Sequence, residues 1–134
     1  MIDLENIKEL WFFKIDNEDC TINFEKIDIK SYRPNNEQPE RYIVITDTDD
    51  NVYELDLALS ARYDNKRLML WKYYKDFVRH PEEYFFTKED AQQRFLEVIS
   101  YWHDKYEEEL KEVRDKMERN QKILENYIKK CHHE

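Results

Sequence analysis

Carboxylates are dense between residues 47 and 56, where half of the residues are acidic. The acids of this segment are Asp47, Asp49, Asp50, Glu54 and Asp56. Carboxylate oxygens bind Ca²⁺, but a calcium loop that starts at Asp47 needs Gly at its sixth position and Glu at its twelfth. Val52 and Ala58 stand at those positions. The sequence therefore excludes a calcium loop of the EF-hand type.

A second chemistry for such acids is metal-dependent hydrolysis, in which converging carboxylates hold Mg²⁺ near a lysine. Asp49, Asp64 and Lys66 are the candidates, because Asp64 and Lys66 have the acid-x-Lys spacing of some nucleases. A solvated turn without glycine explains the same residues with no chemistry at all. We therefore predict no catalytic residue and keep a metal-dependent nuclease or other hydrolase as an alternative.

The C-terminus brings together thiol, imidazole and carboxylate donors: Cys131, His132, His133 and Glu134. Such donors bind Zn²⁺, but the ends of chains usually fray and carry polar residues without a metal. We expect no metal and no other cofactor. The chain contains no Gly, which also excludes glycine-rich phosphate loops.

The net charge of −9 falls mostly on residues before 87. Direct binding to nucleic acid requires clustered Lys and Arg, so this balance favours a protein partner with a basic surface. Acidic surfaces also serve solubility alone. Exposed Tyr is common in protein interfaces, and Tyr42 belongs to the same predicted hairpin as the acids. We predict that Tyr42, Asp47, Asp49, Asp50, Glu54 and Asp56 bind the partner.

The residues before 87 predict an antiparallel sheet. Apolar and polar residues alternate in short segments between turn-forming residues, at 9–16, 20–29, 41–45, 52–59, 66–74 and 84–86. A short helix is an alternative for 66–74. Trp11, Phe13 and Ile15 are predicted to form the core face of the first segment. The apolar period slips by one in the second segment, which predicts a bulge near residues 25–26 and lets the sheet curl.

These segments predict an α+β fold, in which an antiparallel, curled, SH3-like sheet precedes a long C-terminal helix. The expected domains are an acidic β-rich domain over 1–86 and a helix over 87–134. Without glycine, tight turns must place Asn or Asp in the left-handed conformation. Trp11, Phe13, Trp71 and Trp102 are predicted to be core aromatics.

The predicted helix begins at Thr87, whose hydroxyl can cap the amide of Asp90. Its first apolar stripe should pack on the sheet over residues 87–102 and consists of Ala91, Phe95, Val98, Ile99 and Trp102. No Gly or Pro interrupts the helix, although a break into a hairpin near residues 103–109 is an alternative.

Residues 106–131 carry a different pattern, which we call the seam. Its members are spaced alternately by four and three residues: Tyr106, Leu110, Val113, Met117, Asn120, Leu124, Tyr127 and Cys131. This heptad spacing is typical of coiled coils, in which a polar residue such as Asn120 often sets the register. A single helix lying on its own domain would use period 3.6, with Gln121 and Ile128 in place of Asn120 and Tyr127. Length favours pairing, so we predict a homo-dimer or higher homo-oligomer.

Residues 84–91, Tyr-Phe-Phe-Thr-Lys-Glu-Asp-Ala, carry a resemblance. The segment resembles the end of many short, uncharacterised phage and mobile-element proteins, where an SH3-like barrel closes on an aromatic strand before a helix with a similar start. The resemblance implies a small accessory protein and no catalytic residues. Acidic phage accessory proteins include inhibitors of host defence nucleases, such as anti-CRISPR proteins. The long heptad extension departs from that pattern.

Together these patterns predict a non-enzymatic, acidic interaction module that oligomerises through its C-terminal helix. The resemblance implies an inhibitor that occupies the basic nucleic-acid-binding surface of a host enzyme. A structural assembly protein that works through the helix is a further alternative. No apolar run reaches the length of a membrane span, and the two cysteines favour a reducing compartment. We therefore expect a cytoplasmic protein with no membrane contact.

Overall fold

The computed structural model describes residues 4–63, 66–74, 77–78 and 81–132. The elements, in chain order, are a 3₁₀ turn Leu4–Asn6, β1 Glu9–Asp16, β2 Thr21–Pro34, β3 Tyr42–Asp47, β4 Val52–Asp56, α1 Leu57–Ser60, β5 Arg67–Tyr74, β6 Phe77–Val78, β7 Glu82–Phe85 and α2 Lys88–His132. The predicted α+β class is confirmed. The segment 66–74 is a strand and not the alternative helix.

Six of the strands close into an antiparallel barrel of SH3-like form. Each of β1 to β5 pairs with the next strand, β5 pairs with β7, and β7 pairs with β1. The pairing of β7 with β1 is short, since its register has the single pair Trp11 and Phe85. Among the described residues, the two-residue strand β6 pairs with β5 alone.

The barrel interior is filled by aliphatic and aromatic side chains from nearly every strand. Its buried members are Leu10, Ile27, Ile45, Tyr53, Leu55, Leu68, Leu70 and Tyr84. The rings of Tyr53 and Tyr84 meet edge to face, with centroids 5.8 Å apart. Alternation places these residues inside because successive side chains of a strand point to opposite faces.

Strand β1 is apolar on both faces, and this corrects the predicted core face. Leu10 lies fully inside and Phe12 packs against the core. Trp11 and Phe13 are half-buried on the outer face, and Ile15 is exposed. The sequence pattern was ambiguous here because the outer face also has an apolar neighbour, the first turns of α2.

The apolar period of β2 slips by one residue for the same reason, since its outer face also has an apolar neighbour. Residues 21–28 pair with β1 without interruption, so no bulge lies at residues 25–26. Phe24 lies opposite Phe13 on the outer face, whereas Ile27 lies opposite Leu10 inside. The strand changes the face on which it is apolar. The irregularity occurs further on, between Ile29 and Ser31 in the pairing with β3.

The start of α2 packs on this outer face. The Thr87 hydroxyl accepts a hydrogen bond from the Asp90 amide at 3.1 Å, as predicted. Ala91 is fully buried. The Phe95 ring contacts Phe13 at 5.8 Å and Phe24 at 5.9 Å between centroids. This aromatic cluster accounts for the apolar outer residues of β1 and β2.

A carboxylate fixes the same end of the helix to the barrel. Glu83 of β7 accepts hydrogen bonds from Arg94 of α2 (3.0 and 3.3 Å) and from Arg67 of β5 (3.0 Å). The Tyr63 ring lies 4.9 Å from the Arg67 guanidinium. The three ionic side chains are less than one-third exposed, so water screens them less than it screens a surface pair.

The fourth strand is shorter than the predicted 52–59. It ends at Asp56, whose carboxylate accepts a hydrogen bond from the Leu59 amide at 3.0 Å and caps α1. Period-two alternation continues through residue 59 in the sequence, so it could not reveal this turn. Asp56 is 3% exposed.

Two of the described residues adopt the left-handed backbone conformation. Asp50, with φ of 64°, lies in the β3–β4 turn and confirms the expectation for a chain without glycine. Cys20, with φ of 55°, occupies the β1–β2 turn. Cysteine is an unusual choice there, because the left-handed region is unfavourable for residues with a Cβ other than Asn and Asp.

The chain divides into two compact units, Met1–Phe95 and Leu96–Glu134. The boundary falls inside α2, which is helical without a break through residues 103–109. The sequence predicted contact with the sheet through residue 102. The apolar outer face is already covered at Phe95, and Trp102 is 42% exposed, so its prediction as a core aromatic was wrong.

Candidate interaction surfaces

The β3–β4 hairpin brings the predicted acids together but uses some of them internally. Asp47 is 3% exposed. Its carboxylate accepts hydrogen bonds from the amides of Asp49 and Asn51, from the Asn51 side chain and from the Tyr53 hydroxyl, at 2.9–3.1 Å. Burial raises the pKa of Asp47, and the hydrogen bonds from Asn51, Tyr53 and Asp49 outweigh that effect, so the pKa is lowered.

Asp47 and Asp56 are therefore structural residues, which corrects their assignment to the partner surface. Asp47 holds the turn between β3 and β4, and Asp56 caps α1 and lies 3.8 Å from the Arg41 guanidinium. Buried carboxylates need hydrogen-bond donors, and the turn and cap supply them. The sequence showed five acids in one segment but not which of them were buried.

The other predicted residues lie at the surface. Asp49 and Asp50 are exposed, and Glu54 and Tyr42 are half-buried. Asp50 pairs with the Lys30 ammonium at 2.9 Å. Glu54 accepts a hydrogen bond from the Asn35 amide group at 2.9 Å. The acidic face is thus smaller and more neutralised than the sequence indicated.

The structure describes two of the three residues that the metal-dependent alternative would use. Asp49 and Lys66 are exposed, and Asp64 lies outside the described residues. Among the candidate zinc ligands at the C-terminus, Cys131 is exposed and has a free thiol, whereas His133 and Glu134 lie outside the described residues.

A groove of about 500 Å³ opens in the barrel wall where β1 and β7 separate. It is lined by residues 12–15 of β1, Lys72 of β5 and residues 82–84 of β7. Its charged groups have both signs, and Glu83 among them holds Arg67 and Arg94. Within the described lining, no thiol, hydroxyl–imidazole pair or set of metal donors indicates a reaction.

The second unit has more exposed apolar side chains than the described part of the barrel has. Every described residue from 99 to 132 is exposed. The apolar seam residues are each between 51% and 66% exposed: Tyr106, Leu110, Val113, Met117, Leu124 and Tyr127. Asn120 is exposed among them. Contiguous apolar side chains in water mark a binding surface, because scattered single residues are the normal pattern.

Sequence reasoning missed the upstream part of this seam. Leu96, Ile99 and His103 continue the same alternation of three and four residues, and all three are exposed. Of the three, Ile99 was assigned to the sheet-packing stripe, because a period of 3.6 and one of 3.5 diverge slowly over two turns. The uncovered seam therefore begins at Leu96, where the second unit begins.

Aromatic and ionic groups cluster near the start of the seam. The Trp102 ring stacks on Tyr106 at 5.9 Å, meets Tyr101 at 5.5 Å and lies 4.9 Å from the Lys105 ammonium. His103 lies 3.7 Å from the Glu107 carboxylate. With Asp104 these two residues could provide metal-ligand atoms, but all three are exposed, and such surface groups are common without a metal.

No family model, curated protein or solved structure matches the chain. None of the helices among the described residues is long and apolar enough to cross a membrane.

Proposed function

We propose that the protein is a non-enzymatic interaction module that self-associates through the seam of its second unit. One observation carries the proposal: a heptad seam is exposed from Leu96 to Tyr127 on one uninterrupted helix. An isolated helix in water gains little from propensity alone, and most helical stability in proteins comes from packing an apolar face. A second helix supplies that packing.

The size of the surface supports association. The seam from Leu96 to Tyr127 extends about 47 Å at 1.5 Å per residue. Its apolar residues are each between 51% and 66% exposed, except Ile99 at 41%. Removing such area from water contributes roughly 25 cal/mol per Å². Pairing along a seam of this length removes several apolar side chains of each helix from water, and each of them contributes to the free energy of association.

The test compares the mass in solution of the full chain with that of two variants. The wild-type chain is expected to be oligomeric at micromolar concentration by sedimentation. Leu110→Asp is expected to be monomeric, because it puts a charge into the seam at a residue that is 57% exposed. Lys111→Asp is the matched control, since it lies off the seam. A wild-type chain that stays monomeric up to hundreds of micromolar would refute self-association.

The role of the barrel as the partner-binding element remains a prediction. Its surviving candidates are Asp49, Asp50, Glu54 and Tyr42. For an inhibitor that competes with nucleic acid for a basic channel, affinity falls steeply with added salt, because the contacts are ionic. Asp49→Asn should weaken such binding, whereas Glu18→Asn in the distant β1–β2 turn should not. Binding that is insensitive to both salt and Asp49→Asn would exclude this version.

A further inference from the structure

The seam residues occupy two alternating positions of the heptad, a and d. Three residues separate a from the following d, and four separate d from the next a. Position a holds Leu96, His103, Leu110, Met117, Leu124 and Cys131, and position d holds Ile99, Tyr106, Val113, Asn120 and Tyr127. The flanking positions e and g lie beside the seam and contact the second helix of a pair.

The charges at the flanking positions reverse between two adjacent heptads. Glu107 and Glu109 occupy e and g in one heptad, and Arg114 and Lys116 occupy e and g in the next. All four side chains are exposed. In a parallel pair g faces e of the following heptad, whereas in an antiparallel pair g faces g and e faces e. The reversal therefore distinguishes the directions.

We infer that the second copy of the chain binds antiparallel, with Leu110 of each copy beside Val113 of the other. The two-fold axis then passes between Lys111 and Glu112. This inference rests on the proposed self-association and adds its direction and register.

Charge complementarity is the first argument for this register. Glu107 faces Arg114 of the second copy, and Glu109 faces Lys116 of the second copy. Symmetry repeats each contact, so four opposite-charge pairs flank the centre. A parallel in-register pair keeps only Glu109 opposite Arg114, because Lys116 then faces Gln121.

Neighbouring antiparallel registers are opposed by the same charges. If the axis moves to Glu108, Glu107 faces Glu107 of the second copy, and Glu109 faces Glu109 of the second copy. A shift to Asp115 does the same to Arg114 and Lys116. Like charges in direct opposition are destabilising and act against the wrong pairing. The proposed axis lies midway between these two unfavourable ones.

The pairing of polar and apolar seam residues favours the same register as the charges do. His103 and Asn120 are the polar residues inside the seam between Leu96 and Tyr127, and the register sets His103 of one copy beside Asn120 of the other. Pairing them avoids setting a polar side chain against an apolar one. On the flank, Trp102 faces Ile123 of the second copy, so two exposed apolar side chains cover each other.

A shift of the axis by one heptad toward the C-terminus, to a point between Glu118 and Arg119, is less favourable. Glu109 then faces Lys130, which is attractive, but Lys116 faces Ile123. Asn120 in that arrangement lies beside Met117 of the second copy. A charge and a polar side chain are then each set against an apolar one.

The first experiment uses charge reversal in the full chain and measures the dissociation constant of the dimer by sedimentation equilibrium. Lys116→Glu places Glu against Glu109 at two symmetric sites, and should weaken the dimer about tenfold. Adding Glu109→Lys should restore affinity. Lys111→Glu is the matched control, because it makes the same change away from the seam. In a parallel pair Lys116→Glu has little effect, and adding Glu109→Lys weakens binding through repulsion with Arg114.

The second experiment locates the layers by disulfide formation in a Cys20→Ser, Cys131→Ser chain. His103→Cys and Asn120→Cys are prepared separately and oxidised alone or mixed. The antiparallel register gives a covalent dimer only in the mixture. Covalent dimers from either variant alone, an oligomer larger than a dimer, or no rescue by Glu109→Lys would overturn the inference while leaving self-association intact. A monomeric wild-type chain would instead refute the proposed function itself.

Discussion

The barrel and the second unit have apolar residues in comparable density but use them differently. In the barrel, Leu10, Leu55 and Leu70 are fully buried. In the second unit, Leu110, Leu124 and Met117 are more than half exposed in a single chain. The barrel thus completes its packing within one chain, whereas the seam stays exposed in a single chain; under the proposed self-association a second copy covers it. The comparison separates the stability of the fold from that of an assembly.

The largest expected effect is on the barrel core. Leu55→Ala removes a fully buried side chain, and should lower the free energy of unfolding by about 2–5 kcal/mol. Leu124→Ala is the matched change on the seam and should alter barrel stability by less than about 0.5 kcal/mol in dilute protein. Urea unfolding followed by Trp11 and Trp71 fluorescence, in a Trp102→Phe background, reports the barrel alone. Equal losses in the two variants would contradict the comparison.

The second effect concerns the buried carboxylate. Asp47→Asn should lower barrel stability by about 1–3 kcal/mol, because several donors lose a charged acceptor. Asp49→Asn, at the exposed tip of the same turn, should have little effect. Urea unfolding at pH 7 measures both.

The pH dependence of stability provides an independent check on Asp47. Its pKa is lowered from 3.8 in the folded chain, so the stabilisation is present above pH 3.8 and is lost as the pH falls through the folded pKa. The wild-type barrel should therefore lose stability more steeply below about pH 4 than Asp47→Asn does. Parallel acid-unfolding profiles would show that Asp47 is not the group responsible.

The attachment of the first helical turns to the barrel gives the third effect. Glu83→Gln weakens the contacts with Arg67 and Arg94, and should lower stability by about 1–2 kcal/mol. Amide hydrogen exchange should accelerate over residues 88–95. Glu112→Gln, on the outward face of the second unit, should change neither quantity. Unchanged exchange at 88–95 in Glu83→Gln would show that Phe95 and Ala91 suffice.

The smallest expected effect is a gain in the stability of the barrel. Cys20→Gly should raise barrel stability by about 0.5–1 kcal/mol, because the left-handed conformation at Cys20 is unfavourable for a residue with a Cβ. Cys131→Ser should leave the thermal midpoint of the barrel unchanged. A loss of stability in Cys20→Gly would indicate that the weak contact of the Cys20 thiol with the Asn17 carbonyl (3.8 Å) outweighs the backbone term.

Much of the architecture followed from local patterns. Alternation located β1, β3 and β5, and the cap at Thr87 located the start of α2, because these signals depend on residues close in sequence. The same alternation failed after Asp56, where a buried cap replaced a strand residue. It also failed to choose the inner face of β1, since Trp11, Phe13, Leu10 and Phe12 are all apolar.

The candidate site was predicted in part. The seam from Tyr106 to Tyr127 is visible in the sequence as a repeat, and the structure adds that its side chains are uncovered. The acidic surface was overestimated, because the number of acids in a segment does not reveal which of them are buried. The burial of Asp47 depends on the Tyr53 hydroxyl and on a turn that only the folded hairpin forms.

The sequence by itself determined the helix, its heptad period and the reversal of charge between Glu109 and Lys116, because each depends on spacing along one chain. Only the tertiary structure decided where the barrel ends. Phe95 covers the outer aromatics of β1 and β2, and Leu96, the next residue, is 56% exposed. That division makes Leu96, and not Tyr106, the start of the uncovered seam, since exposure is a property of three-dimensional packing and not of residue type.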